Sequence, residues 1–121
     1  MLNKKTLVLG ASPNPERYSN KAVRKLKAHG HDVVAVAKRS ALIDEVPVLD
    51  TLPELHDIDT VTLYVGPDHQ PEYYNYLMQL HPKRIIFNPG AENAELEKMA
   101  EENGIEALEA CTLVLLSTGQ Y

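Results

Sequence analysis

The first third of the chain has the pattern of a strand–helix–strand unit, which strongly constrains the fold. Residues 7–9 are apolar without alternation, as is typical of a strand buried on both faces of a parallel sheet. Apolar residues then recur at helical spacing over residues 19–29, Gly30 follows as a helix stop, and residues 33–36 form a second apolar run. The unit spans about 32 residues, which is the length of a right-handed parallel crossover.

The same alternation continues to the end of the chain. Further strands are predicted at residues 60–65, 85–87 and 105–109, and helices at residues 68–80, 93–103 and, in preference to a strand, 112–118. Asp68 is the expected cap of the second helix. Residues 38–51 are interpreted as a connecting segment with room for a short strand or turn, and residues 52–55 as one helical turn. The chain is therefore predicted to be a single α/β domain over residues 1–121, with a doubly wound, mainly parallel five-stranded sheet and helices on both faces.

Length and charge limit the classes of function. A chain of 121 residues with 44% hydrophobic and 24% charged residues is typical of one globular domain. It has neither an apolar run long enough for a membrane span nor the apolar stretch of a signal peptide, and its single cysteine, Cys111, fits a reducing compartment, so we expect a cytoplasmic protein. The net charge of −5 counts against nucleic acid as a partner.

Three loops of small residues and proline follow the predicted strands, at residues 10–12, 65–67 and 88–90. In a parallel sheet these loops share the carboxyl edge, where ligands bind. The first loop leads to a helix that Ser19 or Asn20 is expected to cap, so its free N–H groups would face an anion. The loop has only Gly10 where the dinucleotide fingerprint G-x-G-x-x-G needs three glycines, which counts against an ordinary dinucleotide site.

Two cations follow the second strand. A domain that binds NAD usually has an acidic residue here to hold the ribose diol, whereas this chain has Ala37, Lys38 and Arg39. The pair suits a phosphorylated ribose, either the 3′-phosphate of coenzyme A or the 2′-phosphate of NADP. The alternative is that both charges are simply solvated.

The sequence resembles the CoA-binding domain family of Rossmann-like proteins, which is related to the N-terminal domain of the succinyl-CoA synthetase α subunit. The resemblance covers nearly the whole chain. It rests on the motifs Leu9-Gly10-Ala11-Ser12-Pro13 with Pro15 and Tyr18-Ser19, Asn88-Pro89-Gly90-Ala91-Glu92-Asn93, and Gly104-Ile105 leading to Ala110-Cys111-Thr112. The resemblance implies that coenzyme A lies across the carboxyl edge, with its phosphates at residues 10–12 and its adenosine near residues 37–39. Many members have Val-Asn-Pro after the second strand, so the adenosine contacts of this chain differ from theirs.

The expected ligand contacts combine these loops with the start of the first helix. The predicted binding residues are Gly10, Ala11, Ser12, Pro13, Arg17, Tyr18, Ser19, Ala37, Lys38, Arg39, Val65, Gly66, Pro67, Asn88, Pro89, Gly90, Glu92 and Cys111. Glu92 is equally well explained as an acid in the first turn of a helix. Cys111 is explained by burial, with a mixed disulfide to the thiol of coenzyme A as the alternative. No catalytic set and no metal motif are predicted.

Three functions remain open from the sequence. The first is a stand-alone protein that binds coenzyme A or acyl-CoA without catalysis, as a carrier, a sensor or the partner of an enzyme of acyl-CoA metabolism. The second is an NADP-binding protein or small reductase. The third is an interaction module whose nucleotide crevice is vestigial.

Overall fold

The computed structural model describes residues 3–121 and contains one central sheet with helices on both faces. The strands are β1 Thr6–Leu9, β2 Val33–Val36, β3 Ala41–Ile43, β4 Val46–Leu49, β5 Thr60–Leu63, β6 Arg84–Phe87 and β7 Glu106–Glu109. The helices are α1 Tyr18–Ala28, α2 Tyr74–Leu80, α3 Ala94–Glu102 and α4 Thr112–Ser117, and two 3₁₀ turns, Pro67–His69 and Pro71–Tyr73, precede α2.

The sheet has the order β3-β4-β2-β1-β5-β6-β7. Every neighbouring pair is parallel except β3–β4, which is antiparallel. The predicted doubly wound α/β fold is therefore confirmed. Because β1 lies between β2 and β5, the chain reverses its direction of winding at β1, and the loops after β1, β2 and β5 come together at this switch point.

The predicted number of strands is wrong, since the sheet has seven rather than five. The additional strands, β3 and β4, form a hairpin inside the segment that was interpreted as a connection. Its turn residues, Asp44 and Glu45, have φ values of 44° and 70°. Turns with this conformation usually contain glycine or asparagine, so Asp-Glu did not indicate one. Pro47 also interrupts the apolar pattern of β4.

Two apolar clusters fill the two faces of the sheet. On one face α1 and α4 pack through residues that include Val23, Leu26 and Leu116. On the other face α2 and α3 pack through residues that include Leu77 and Leu96. The strands between them, β1 and β5, are buried along their whole length, which explains the unbroken apolar run of β1. β5 alternates threonine with valine and leucine, and its buried threonine hydroxyls form hydrogen bonds.

Several predicted helix ends differ from the structure. The cap of α1 is Arg17, and no side chain caps this helix, so the prediction of Ser19 or Asn20 is wrong. Asp68 lies inside the first 3₁₀ turn and does not begin a continuous helix, because two prolines divide residues 67–73 into separate short turns. The predicted helical turn at residues 52–55 is absent from the described chain. The predicted tail helix is confirmed as α4.

None of the helices in residues 3–121 has the length and apolar character needed to span a bilayer.

Candidate functional site

Two adjoining clefts open at the carboxyl edge of the sheet. The α1 cleft has a volume of about 560 Å³ and is lined by Gly10, Ser12, Glu16, Arg17, Tyr18, Ser19, Tyr64, Asn88, Pro89 and Cys111. The β2 cleft has a volume of about 460 Å³ and is lined by Gly10, Ala11, Ser12, Pro13, Ala37, Lys38, Arg39, Val65, Gly66, His69 and Tyr73. Gly10 and Ser12 line both clefts, so the two clefts adjoin at the turn after β1 and together form one groove.

The clefts bring together all but three of the residues that the sequence predicted. Pro67, Gly90 and Glu92 line neither cleft. Glu92 instead accepts a hydrogen bond from the Gly90 N–H at 2.7 Å, which closes the loop after β6 on itself.

Four lining residues were not predicted: Glu16, Tyr64, His69 and Tyr73. The first lies within the loop between β1 and α1, and the second directly precedes Val65. A wider window around the predicted loops would have included both. Tyr73 falls within the helix predicted over residues 68–80; it is buried, and its position in a 3₁₀ turn also brings it to the cleft.

The turn at Gly10 is held by two backbone hydrogen bonds to the end of β2. The N–H groups of Gly10 and Ala11 both donate to the carbonyl of Val36, at 2.9 and 3.2 Å. These two N–H groups are therefore not available to a ligand. An anion at this turn would depend on other donors.

Those donors lie at the start of α1. The N–H groups of Tyr18, Ser19 and Asn20 have no acceptor within residues 3–121, and the first turn of α1 contains no acidic residue. Free N–H groups and the positive end of a helix dipole attract anions. The guanidinium of Arg17 belongs to the same cleft, although the exposed Glu16 partly offsets its charge.

Asn20 braces this loop instead of capping the helix. It is fully buried, and its side-chain amide donates to the carbonyl of Ser12 at 2.9 Å. Its carbonyl oxygen in turn accepts from the Nε of Arg24 at 2.8 Å. Asn20 therefore fixes the distance between the turn after β1 and the beginning of α1.

Asn88 forms the floor of the α1 cleft and uses its whole amide for internal bonds. Its Nδ2 donates to Thr62 Oγ1 at 2.8 Å and to the carbonyl of Leu63 at 3.0 Å. Its Oδ1 accepts from the N–H of Thr112 at 2.9 Å, and the hydroxyl groups of Thr62 and Thr112 lie 2.8 Å apart. Asn88 thus joins β5, β6 and α4, and it shapes the cleft without a free polar atom of its own.

The cations of the β2 cleft are not equivalent. Lys38 forms an ion pair with Glu72, and its ammonium lies 5.6 Å from the centre of the Tyr73 ring. The hydrogen bond to Glu72 raises the pKa of Lys38, and the same bond lowers the pKa of Glu72. Arg39 is exposed and has no ion-pair partner in the described part of the chain, so its positive charge is available to a ligand.

The far wall of the α1 cleft contains Tyr64 and Cys111. Burial raises the pKa of Tyr64 to about 12, so this phenol is neutral at physiological pH. Its hydroxyl group is buried and has no hydrogen-bond partner among residues 3–121. Cys111 is half-buried and directly precedes α4.

Gln70, which sequence reasoning did not single out, braces the β2 cleft from below. It is fully buried, and its amide donates to the carbonyls of Val65 and Ala91, both at 2.8 Å. Its Oε1 accepts from Asn93, whose own carbonyl oxygen caps α3. A buried glutamine in a proline-rich segment gives no signal in the sequence, because its partners are backbone carbonyls, which any residue type supplies.

Residues 3–121 contain no cluster of three or more histidine, cysteine or acidic side chains that could hold a metal ion.

Comparisons with known proteins agree with this architecture. A family model described as a CoA-binding domain matches residues 4–117. A crystal structure of an uncharacterized protein is 45% identical over 100% of both chains, with a TM-score of 0.97. A hypothetical protein from Pyrococcus horikoshii OT3 is 28% identical over 93% of this chain and 82% of its own, with a TM-score of 0.81.

A larger protein contains the same fold. The dinucleotide-forming acetyl-coenzyme A synthetase 1 of Ca. Korarchaeum cryptofilum is 18% identical, and the match covers 88% of this chain but only 26% of that protein, with a TM-score of 0.68. No curated protein matches the chain at a significant level.

Proposed function

The chain belongs to the CoA-binding domain family, and from that membership we propose that it binds coenzyme A or an acyl-CoA across the α1 and β2 clefts. In this proposal the protein is a stand-alone binding module, a carrier or sensor, and catalyses no reaction alone. The observation that carries the proposal is the continuous groove at the switch point of the sheet, with a cation at one end and free helix N–H groups near its middle.

The adenosine 3′-phosphate belongs in the β2 cleft. Arg39 offers an unpaired guanidinium there, and a guanidinium can bind a phosphate through two hydrogen bonds. The apolar side chain of Val65 and the ring of Tyr73 give the same cleft a surface on which a purine can pack.

The pyrophosphate belongs at the middle of the groove, beside Ser12 and the start of α1. The three free N–H groups of α1 and the Arg17 side chain supply the positive potential. The turn N–H groups of Gly10 and Ala11 do not contribute, since both bond to Val36.

The pantetheine arm then extends along the α1 cleft towards Cys111. This cleft has a volume typical of small-molecule sites. Its floor is the internally bonded Asn88, which offers a shaped but unreactive surface.

Calorimetric titration with coenzyme A, 3′-dephospho-coenzyme A and NADP tests the proposal. We expect coenzyme A to bind most tightly. Arg39→Ala should weaken coenzyme A about tenfold, equivalent to about 1.4 kcal/mol, and should leave 3′-dephospho-coenzyme A unchanged. Lys98→Ala, at an exposed position on α3, is the control variant and should have no effect on either ligand.

Other outcomes would contradict the proposal. Binding of NADP alone would favour the reductase alternative, and absence of binding by all three ligands would favour a scaffold. Release of free thiol from an added acyl-CoA, in proportion to the protein concentration, would contradict the non-catalytic role.

A further inference from the structure

We propose that two copies of this chain associate through the outer edge of β3, which extends the sheet across a twofold axis at Leu42. This inference concerns an interaction surface and shares one residue, Arg39, with the position proposed for the 3′-phosphate. It starts from the position of β3, which is the terminal strand of the sheet and has no described strand on its outer side.

The hairpin geometry determines which backbone groups of β3 point outward. A two-residue turn, Asp44-Glu45, makes Ile43 and Val46 a hydrogen-bonded pair. Opposite pairs in an antiparallel ladder alternate, so Leu42 and Pro47 are a non-hydrogen-bonded pair. Proline has no N–H to donate, which agrees with the position of Pro47 in a non-hydrogen-bonded pair. The N–H and C=O of Leu42 therefore face the open edge.

An open edge of this kind can pair with itself. When two copies of β3 lie antiparallel about a twofold axis at Leu42, each Leu42 N–H donates to the Leu42 carbonyl of the other copy. This arrangement satisfies both outward-facing backbone groups in a single step. A shift by one residue would instead present the groups of Ala41 or Ile43, which are already bonded to β4.

The side chains support the same register. Leu42 is 67% exposed, the most exposed of the large hydrophobic side chains described. Its strand neighbours, Ala41 and Ile43, pack on the α1 face of the sheet, so Leu42 lies on the opposite face, where Pro47 beside it is also exposed. Twofold pairing would place the two Leu42 side chains directly opposite one another, at a distance at which cross-strand pairs make contact.

The charges at the two ends of β3 are complementary in this register. Antiparallel pairing about Leu42 brings Arg39 of each copy near Glu45 of the other. Arg39 has no ion-pair partner in residues 3–121, and the side chain of Glu45 is 90% exposed with only a 3.7 Å contact to Lys27. The pairing therefore creates two opposite-charge contacts, one on each side of the axis.

The interface is small, because β3 has only three residues. Such contacts belong to the weak and transient class. We therefore expect a monomer at micromolar concentration and a growing dimer population as the concentration approaches the millimolar range.

Sedimentation velocity over that range tests the pairing. The weight-average sedimentation coefficient of the wild-type protein should rise with concentration, whereas Leu42→Lys should remain monomeric, since two ammonium groups would face one another across the axis. Val114→Lys replaces another exposed hydrophobic residue, 56% exposed on α4, and should associate like the wild type.

Two further measurements keep the proposal falsifiable. Glu45→Lys should weaken association, and Arg39→Glu combined with Glu45→Lys should restore it. Amide exchange of Leu42 in the wild-type protein should slow as concentration rises. A wild-type protein that stays monomeric throughout, or a Leu42→Lys variant that still forms dimers, would overturn the proposal.

Discussion

At the scale of single residues, Gly10 shows how one position can govern the packing of two strands. Its φ of +94° lies in a region that side chains rarely adopt, and a Cβ added there would lie 3.0 Å from the backbone C of Tyr64 and N of Val65. Glycine thus lets β1 and β5 approach closely at their carboxyl ends.

Gly10→Ala should therefore lower the free energy of unfolding by more than the cost of backbone strain alone. We expect a loss of about 2 kcal/mol or more, from strain and from the contact with residues 64–65. Gly30→Ala is a matched control, because Gly30 has a φ of +83° but no atom within 4 Å of an added Cβ. It should cost only about 1 kcal/mol. Urea unfolding of both variants measures the difference, and equal losses would show that crowding at residue 10 is unimportant.

Glu72 is the residue whose removal should improve binding of coenzyme A. It holds the Lys38 ammonium in an ion pair and adds a negative charge near the proposed phosphate position. Because the pair is largely exposed, Glu72→Gln should tighten binding modestly, about fivefold at low salt, and the gain should shrink at high salt. Calorimetry measures this change. Glu54→Gln, at another exposed carboxylate, is the control. An unchanged or weaker affinity in Glu72→Gln would show that the carboxylate of Glu72 does not oppose the ligand.

At the scale of elements, the β3–β4 hairpin has an unfavourable turn sequence. Its turn has two non-glycine residues at positive φ, where Asn-Gly is the favoured pair. The surface ion pairs of Lys27 with Asp44 and Glu45 span 3.9 and 3.7 Å and contribute little.

Replacement of Asp44-Glu45 by Asn-Gly should stabilise the protein. The expected gain is about 1 kcal/mol, because glycine removes the strain at residue 45 and asparagine tolerates the left-handed region. Thermal unfolding measures the gain. A lower melting temperature would show that the ion pairs with Lys27 outweigh the turn strain.

The elements that the sequence predicted well are those with long or buried patterns. β1 was recognisable because burial on both faces favours an unbroken apolar run such as residues 7–9, and β5 from its β-branched residues. α1 and α3 were recognisable from helical periodicity. The hairpin was not, since β3 and β4 have only three and four residues, and one residue of β4 is proline. Hydrogen bonds from a side chain to a backbone carbonyl, such as those of Gln70 and Asn20, depend on how the chain folds back on itself, and a periodicity pattern cannot show them.

The candidate site residues also differ in how well the sequence could predict them. The loops at the carboxyl edge could be located from strand ends and small residues, and the clefts include most of them. The ion pair of Lys38 with Glu72 joins the loop after β2 to the 3₁₀ turn that precedes α2, so the sequence could predict a pair of cations for a phosphate but not that one of them is already paired.

At the scale of the whole molecule, the two edges of the sheet have different chemistry. The carboxyl edge carries the clefts, whereas at the amino edge His31 accepts a hydrogen bond from the Lys4 N–H at 3.0 Å. Its ring lies 5.0 Å from that of Tyr121, above which the Arg84 guanidinium stacks at 4.5 Å. Burial lowers the pKa of His31 from 6.5, and His29, Lys4 and Arg84 lower it further, against a smaller opposite effect of Asp59.

This cluster predicts a pH dependence of stability. Because the folded chain disfavours protonation of His31, the unfolded chain binds more protons as the pH falls below 6.5. Stability should be complete above that pH and should decrease as the pH falls through the lowered pKa. His31→Asn keeps an acceptor for Lys4 and should flatten this decrease in urea unfolding between pH 7 and about pH 5. His56→Asn, at an exposed position, is the control; a slope identical to the wild type in His31→Asn would contradict the assignment.

The Val36 carbonyl accepts two hydrogen bonds, and this has a consequence for the rate of ligand binding. It holds the turn at residues 10–11 with bonds that no ligand replaces, and Asn20 and Asn88 secure the two sides of the groove in the same manner. The binding groove is therefore preformed, and little of the chain has to become ordered when a ligand binds. The observed rate constant for binding should increase linearly with ligand concentration and show no plateau. This is the behaviour of one-step binding, in which no conformational change limits the rate.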